Sequence, residues 1–261
     1  MLDQIRTLFR YRLLIQSLVG RELKARYRGS ILGFLWSFIN PLLLLLTYWL
    51  VFSFIFPGAR TRSVEPYFLF MFCGILPWTW ISAAVLESAG VLISSGNLIK
   101  KVLFPAEILP TVTVLANLVH LLLGLPILLL FLVLAGHLGP HALLFPVPLL
   151  VQLVFCLGLG LFVSALTVHF RDLQNILSHL MHLWFFASPV LYSIDDMSGR
   201  LRTVLRLNPM THILVAYQDT LFHDRFPRGR GLAGAAVAAL LTLAVGAFLF
   251  ERLRDTFAEE V

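Results

Sequence analysis

Long stretches without charged side chains constrain this sequence more than any other feature. Five of them run for at least 20 residues without Asp, Glu, Lys or Arg, at 29–59, 66–86, 108–170, 173–194 and 231–250. A helix needs about 20 mostly apolar residues to cross a bilayer. The stretch 108–170 is too long for one crossing, and a Gly-His-Leu-Gly-Pro break at 136–140 divides it. The sequence therefore predicts an all-α polytopic membrane protein with six transmembrane helices, at 33–56, 67–92, 108–135, 143–169, 175–194 and 231–250.

Composition excludes the main soluble classes. Apolar residues make up 59% of the chain and charged residues 13%, whereas soluble domains average about 45–50% and 25%. So few charges could not cover so much apolar surface in water. We therefore exclude an ordinary cytosolic enzyme, a disordered chain and a nucleic-acid-binding domain, and we expect a single membrane domain over 1–261. Cys73 and Cys156 lie inside apolar runs and suggest neither disulfides nor a metal cluster.

The distribution of basic residues predicts the orientation. With the amino terminus in the cytosol, the cytosolic segments contain 12 Lys and Arg residues and the outer segments contain 8. Six of those eight fall in one long loop, 195–230, so the short outer loops carry few positive charges. Basic residues concentrate in short cytosolic loops. We therefore expect both termini in the cytosol.

Two cytosolic segments carry basic residues at helical spacing. In residues 1–30, Arg21, Lys24 and Arg28 continue a stripe that begins at Arg6, which is typical of an amphipathic interface helix. This helix either only anchors the chain or also docks a cytosolic partner. In 94–107, Lys100 and Lys101 face water on a short predicted helix, and Glu107 suits the first turn of the next span. This segment is either a snorkelling loop or a coupling helix.

The long outer loop, 195–230, contains signals for two short helices. Asn208 and Pro209 form a predicted helix start, with a capping side chain followed by proline at the first helical position. Residues 210–222 follow, and Tyr217 lies on their apolar face. These helices are either a lid over a pore or a plug that shields helix ends.

Polar and aromatic side chains share a face on two predicted spans. On the first span they are Trp36, Asn40 and Thr47, and on the fifth span they are Ser178, His182, Phe185 and Tyr192. Such faces suit sugar rings, which stack on aromatic side chains while their hydroxyls need hydrogen-bond partners. Polar contacts between packed helices are the alternative. His182 and the nearby His179 lack a third ligand, so we expect no metal site.

Nucleotide-binding and catalytic motifs are missing from the sequence. It contains no phosphate-binding P-loop and neither H-E-x-x-H nor G-x-S-x-G. Charged groups in the middle of a span, which ion-coupled carriers need, are also missing apart from Glu87 near a predicted span end. We therefore expect a transport subunit that is not an enzyme and holds no cofactor. The energy source then lies on another polypeptide.

Several segments in order resemble a known family. They are 21–36 with Asn40-Pro41, 95–105 with 107–110, 170–176, 188–192 and 207–210. Together they resemble the permeases of polysaccharide-export ABC transporters, which export O-antigen, capsule or teichoic acid. Ala106 differs from the larger or charged residue expected there.

The resemblance implies an assembly and an activity. It implies a homodimer in the bacterial inner membrane with two separate ATPase subunits, which bind ATP and Mg, and a lipid-linked polysaccharide that passes through a channel. The first and fifth spans would line this channel, and Asn208, Pro209 and Tyr217 would belong to an outer gate. The expected ATPase-coupling residues are Arg21, Lys24, Arg28, Lys100, Lys101, Glu107, Arg171 and Asp172.

Three alternatives remain at this point. A drug or small-lipid exporter of the same fold would have purely apolar first- and fifth-span faces. An integral-membrane enzyme acting on lipid-linked sugars would need an acid–base pair at the membrane surface, for which Arg171 and Asp172 are the only near candidate. A passive channel would have no ATPase partner.

Overall fold

The structure is a computed structural model that describes residues 10–26, 28–55, 64–96 and 105–260. Its described residues form helices joined by turns. The main helices are α1 (Arg12–Arg26), α2 (Trp36–Leu50), α3 (Tyr67–Ser94), α4 (Ile108–Leu134), α5 (Pro146–His169), α6 (Leu173–Phe186), α7 (Gly199–Leu205), α8 (Pro209–Tyr217), α9 (Gly229–Leu253) and α10 (Phe257–Glu260). Short 3-10 turns cover Gly33–Leu35, Pro140–Leu144 and Arg254–Thr256, and π turns extend α2 over Val51–Ile55 and α8 over Gln218–Phe222.

Helix α3 forms the centre of the bundle. It is apolar on all sides, and most of it is buried against α4, α5, α6 and α8. The indole of Trp80 donates a hydrogen bond to the carbonyl of Val114 on α4, at 3.2 Å. The side-chain amide of Gln152 on α5 donates to the carbonyl of Pro77 at 2.7 Å. These bonds fix the neighbours of α3 around it.

Helices α5 and α9 cross at two glycines. A Cβ atom added to Gly246 would lie 2.2 Å from the carbonyl oxygen of Gly158, and one added to Gly158 would lie 2.5 Å from the backbone nitrogen of Leu243. Small residues allow membrane helices to approach this closely. Helix α9 also contacts α8, and its face with Val237, Leu241 and Phe248 is exposed.

Contacts define two ends of the bundle. At the first, which we name the α1 end, Arg26 bonds Glu87 at 2.7 Å and His169 lies 3.0 Å from the hydroxyl of Thr256. At the second, which we name the α8 end, Asp224 accepts from the backbone N–H of His141 at 3.0 Å. The charged segments are thus gathered at two opposite ends of apolar helices, as a membrane protein requires.

Four of the described helical segments are long and apolar enough to cross a membrane: Tyr67–Ser94, Ile108–Leu134, Pro140–His169 and Gly229–Thr256. They confirm the helices predicted at 67–92, 108–135, 143–169 and 231–250. The first predicted span, 33–56, corresponds to α2 and its π turn, and α2 itself has only 15 residues. The predicted coupling helix in 94–107 falls mainly on residues outside the described ranges.

The fifth predicted span, 175–194, differs most from the structure. Helix α6 ends at Phe186 and has 14 residues, about 21 Å at 1.5 Å per residue. Pro189 disfavours helical backbone at the preceding residue. In addition, Asn208 donates to the carbonyl of Ala187 at 3.1 Å and Gln218 donates to the carbonyl of Pro189 at 2.7 Å. Distant side chains therefore satisfy carbonyls that a longer helix would have bonded internally.

Candidate functional site

A cavity of about 700 Å³ lies between α2, α3, α4 and the end of α1. Its walls mix aromatic, amide and basic side chains with leucines. The predicted channel residues Trp36 and Asn40 both line it, whereas Thr47, farther along α2, is not part of its lining. Trp36 is oriented by its indole N–H, which donates to the hydroxyl of Ser30 at 3.0 Å. The cavity can thus offer stacking faces and hydrogen-bond groups to a polar ligand.

Three polar side chains beside this cavity form a network. Arg26 donates to Glu87 at 2.7 Å and to the side-chain oxygen of Asn117 at 3.2 Å. The amide nitrogen of Asn117 also donates to the same Glu87 oxygen, at 2.6 Å. The network ties α1 to α3 and α4 at the α1 end. Sequence reasoning noticed Glu87 but missed its partners, because they lie 61 and 30 residues away.

The predicted coupling residues on α1 and α6 are exposed. Arg21, Lys24 and Arg28 are exposed. The apolar side of α1 is the one on which Ile15 packs against Ile108 and Val112 of α4. Arg171 and Asp172 precede α6, and Arg171 donates to the backbone carbonyl of Glu260 at 3.4 Å. The exposed charges accordingly lie at the α1 end, on segments that are far apart in sequence.

The other predicted coupling residues have different positions. Glu107 precedes α4 and is 6% exposed, and one of its carboxylate oxygens is buried without a hydrogen-bond partner among the described residues. In this chain it is therefore not part of the exposed charged surface. Lys100 and Lys101 lie outside the described residues.

The predicted channel residues of the fifth span bond to nearby backbone. Ser178 donates to the carbonyl of Asn175 at 2.7 Å, and His182 contacts the carbonyl of Ser178 at 2.6 Å. Tyr192 lies beyond the end of α6, and its hydroxyl donates to the carbonyl of Phe186 at 3.1 Å. Phe185 packs edge-to-face on Trp78, with ring centroids 5.6 Å apart. Because the helix ends early, Tyr192 does not continue the helical stripe that the spacing predicted.

Asn208 connects α6 to α8. Its side-chain oxygen accepts from the indole of Trp184 and from the backbone N–H of Met210, each at 3.0 Å. Its amide nitrogen donates to Ala187 and to the hydroxyl of Ser188. The predicted cap at Asn208 is thus confirmed, with Pro209 as the first residue of α8.

Helix α8 is buried in the bundle. Tyr217 is 2% exposed, and its hydroxyl has no hydrogen-bond partner among the described residues. The π turn that follows it is buried along its whole length. This segment therefore packs inside the chain at the α8 end, instead of lying on its surface as a loose lid.

Arginines and aspartates hold the α8 end together. Asp195 pairs with Arg202 at 2.7 Å and with Arg228, and buried Asp219 pairs with Arg225 at 2.5 Å and with Arg228 at 3.3 Å. The hydrogen bond from Arg228 lowers the pKa of Asp195 below its ordinary 3.8. Burial raises the pKa of Asp219, although Arg225 and Arg228 lower it in part. The network links the segment after α6 to the start of α9.

In the ranges that the structure describes, no three His, Cys, Asp or Glu side chains are arranged to hold a metal ion. Cys73 and Cys156 are free and fully buried. The described polar groups can bind and orient a ligand.

Comparisons with known proteins agree with this architecture. The model of the ABC-2 type transporter family matches residues 13–222. The chain is 42% identical over its full length to the whole "O-antigen export system permease protein RfbA" of Myxococcus xanthus. It is 28% identical to the protein of the same name from Klebsiella pneumoniae, over 94% of each chain. It is 22% identical to the "Polysialic acid transport protein KpsM" of Escherichia coli, over 90% of this chain and 92% of the relative. The chain belongs to the ABC-2 type transporter family of membrane proteins.

Proposed function

We propose that this chain is the permease subunit of an ATP-driven exporter that moves a lipid-linked, O-antigen-like polysaccharide across the bacterial inner membrane. The observation that carries this proposal is the 42% identity to the O-antigen export permease of Myxococcus xanthus, which covers the full length of both chains. Weaker similarity to a polysialic acid transport protein supports a polysaccharide cargo more broadly. The mixed aromatic and amide lining of the α2 cavity suits a glycan better than a purely apolar drug.

The energy for export comes from a partner in this proposal. The sequence has no P-loop, so ATP and Mg bind to a separate ATPase. Two ATPase subunits dock at the α1 end, which faces the cytosol together with both termini. The docking residues are Arg21, Lys24, Arg28, Lys100, Lys101, Arg171 and Asp172, without the buried Glu107. The exposed charges of α1 and of the segment before α6 support this surface.

Two copies of the chain form the transport unit in this proposal. Helix α6 exposes an apolar stripe with Ile176, Leu180 and Leu183, and α2 exposes Leu43, Leu46 and other large side chains. Neither α2 nor α6 is long enough alone for a full crossing of about 30 Å. Together with the residues that follow them, they complete six spans in each subunit. Pairing between subunits would cover their apolar faces.

The channel runs beside α2 and α6 in this proposal. Trp36, Asn40, Thr47, Ser178, His182, Phe185 and Tyr192 line it. The segment 195–230, with Asn208, Pro209 and Tyr217, acts as an outer gate held closed by its bonds to the end of α6. Many weak contacts would let a long glycan slide without being trapped.

Cargo and energy source are tested together in everted membrane vesicles. We expect ATP-dependent uptake of a lipid-linked O-antigen glycan when this chain and its partner ATPase are present. A P-loop lysine variant of the ATPase is the matched control and abolishes uptake. Uptake of a hydrophobic dye without any glycan uptake would contradict the polysaccharide proposal and favour the drug-exporter alternative.

Thiol labelling tests the channel. Cysteines replace Asn40, Thr47 and Ser178 one at a time, and the buried native cysteines give little background. We expect a membrane-impermeant reagent to label each position in at least one nucleotide state of the transporter. Leu241→Cys, on the exposed apolar face of α9, is the control that only a lipid-soluble reagent labels. If the three test positions behave like Leu241→Cys in every state, the channel assignment is wrong.

A further inference from the structure

A second cavity lies at the α8 end, where two helices begin. It has a volume of about 230 Å³, well above the roughly 30 Å³ that a water molecule occupies in the liquid. Its lining includes Arg206, Arg228 and Arg230, together with Thr211, His212 and Gly231. We name it the arginine pocket. Three arginines among the residues that line one small cavity favour a site for an anion.

The arginines differ in how far they are already neutralised. Arg228 is paired with Asp195 and Asp219. Among the residues that the structure describes, no carboxylate lies within 4.0 Å of Arg206 or Arg230. Arg206 and Arg230 thus have no carboxylate partner among the described residues, and their guanidinium groups can pair with an external anion.

The backbone around the pocket adds to this positive field. Thr211 is the third residue of α8, and Arg230 is the second residue of α9. The first N–H groups of a helix have no partner within the helix, and the helix dipole is positive there. Basic side chains at such positions repel the dipole. A bound anion would relieve that repulsion at both helix starts, as phosphate groups do at other helix N-termini.

A buried hydroxyl points to a missing partner. Thr211 is 1% exposed, and its buried hydroxyl oxygen has no hydrogen-bond partner in the part of the chain that the structure describes. Buried polar groups in proteins are nearly always hydrogen-bonded. The ring of the neighbouring His212 is fixed by a hydrogen bond from Nε2 to the carbonyl of Arg206 at 2.8 Å. Gly231 leaves the space beside that ring open, because a Cβ atom there would lie 2.5 Å from Nδ1 of His212.

The position of the arginine pocket beside exposed apolar helices indicates which kind of anion it binds. The pocket lies at the beginning of α9, a membrane-spanning candidate whose exposed apolar face carries Val237, Leu241 and Val245. Neighbouring α7 exposes Val204 and, just past its end, Leu207. Acyl chains can pack on these apolar side chains while the headgroup stays at the helix start. We propose that the arginine pocket binds the phosphate of an anionic phospholipid from the surrounding leaflet.

Binding of short-chain lipids to the purified transporter tests this proposal. Dioctanoyl phosphatidylglycerol is titrated in neutral detergent, and the midpoint of thermal unfolding reports binding. We expect phosphatidylglycerol, but not dioctanoyl phosphatidylcholine, to raise the midpoint. Replacing Arg206 or Arg230 by Gln weakens binding about fivefold for each arginine, since each basic residue contributes about 1 kcal/mol toward anionic lipid. Thr211→Val, which removes only the unpartnered hydroxyl, weakens binding and leaves the unliganded midpoint unchanged.

Controls separate this pocket from other sources of the same effect. Arg200→Gln is the matched variant, because Arg200 is exposed on α7 and does not line the pocket. Loss of binding in Arg200→Gln equal to that in Arg230→Gln would mean general charge attraction and would overturn the proposal. Inorganic phosphate that binds as tightly as phosphatidylglycerol would overturn the lipid assignment. So would a short polyprenyl diphosphate that displaces phosphatidylglycerol at much lower concentration, because the pocket would then serve a diphosphate-linked lipid.

Discussion

The bond between Arg26 and Glu87 provides the sharpest test of how α1 is held on the bundle. One oxygen of Glu87 accepts from Arg26 at 2.7 Å and from Asn117 at 2.6 Å. The Arg26 and Glu87 side chains are 28% and 40% exposed. Exposed ion pairs contribute about 0.2–1 kcal/mol, whereas hydrogen bonds to charged groups contribute about 1.5–3 kcal/mol. For this partly screened pair we expect Arg26→Glu to weaken the docking of α1 by about 1–2 kcal/mol.

Hydrogen exchange measures this docking directly. When the opening equilibrium sets the exchange rate, a loss of about 1.4 kcal/mol corresponds to about tenfold faster exchange in the peptides that cover α1. Glycan transported per ATP hydrolysed is measured in parallel, because a loosened α1 would transmit less of the ATPase motion in the proposed mechanism. Arg10→Glu makes the same charge change on an exposed residue at the start of the helical segment and is the control for docking.

The charge-swapped double variant decides the result. Arg26→Glu combined with Glu87→Arg restores an attractive pair, and we expect it to recover about 1 kcal/mol of the loss seen in the single variants. A double variant as impaired as the sum of the singles would show that the two side chains do not interact. Faster exchange in Arg10→Glu equal to that in Arg26→Glu would show that only the net charge of α1 matters.

Two further predictions concern stability. Gly158→Leu should abolish the folded, monodisperse protein in size-exclusion chromatography, because its Cβ would lie 2.5 Å from the backbone of Leu243. Gly234→Leu on α9, with nothing within 4 Å of its Cβ position, should leave the elution profile unchanged. The pKa of Asp195 is lowered in the fold, so its contribution is complete above its ordinary 3.8 and is lost as pH falls through the folded value. The unfolding temperature should therefore drop on acidification, and less so in Asp195→Asn.

The positions of the long central helices could be predicted from the sequence. The length of an apolar run and the charged residues at its ends are local features of one segment. Helix α3 begins two residues after Glu65, and α4 begins directly after Glu107, as the charge-free windows predict. The start of α8 was also predictable, since Asn208 caps it through a bond to a residue two positions later. Signals of this kind need no knowledge of the rest of the fold.

The end of α6 was predictable only in part, from Pro189, which disfavours helical backbone at the residue before it. Apolar residues continue past Phe186, but the chain leaves the helix because Asn208 and Gln218 bond carbonyls at 187 and 189. The Arg26 network was missed for the same reason, since it joins three helices at separations of 30 to 91 residues. Tertiary hydrogen bonds form the Arg26 network and hold the chain after α6, and a pattern within one segment does not contain these bonds.

The hydroxyl groups of Thr47 on α2 and Ser178 on α6 affect how easily a glycan could move along the proposed channel. Thr47 and Ser178 already donate their hydroxyl hydrogens to backbone carbonyls of their own helices. Each hydroxyl oxygen still has lone pairs that can accept a hydrogen bond. In the proposed channel these side chains would therefore act as acceptors for sugar hydroxyls, and their own bonds would persist when the sugar leaves. No buried donor would be stranded between successive sugar units, so each step along the channel would meet a low barrier.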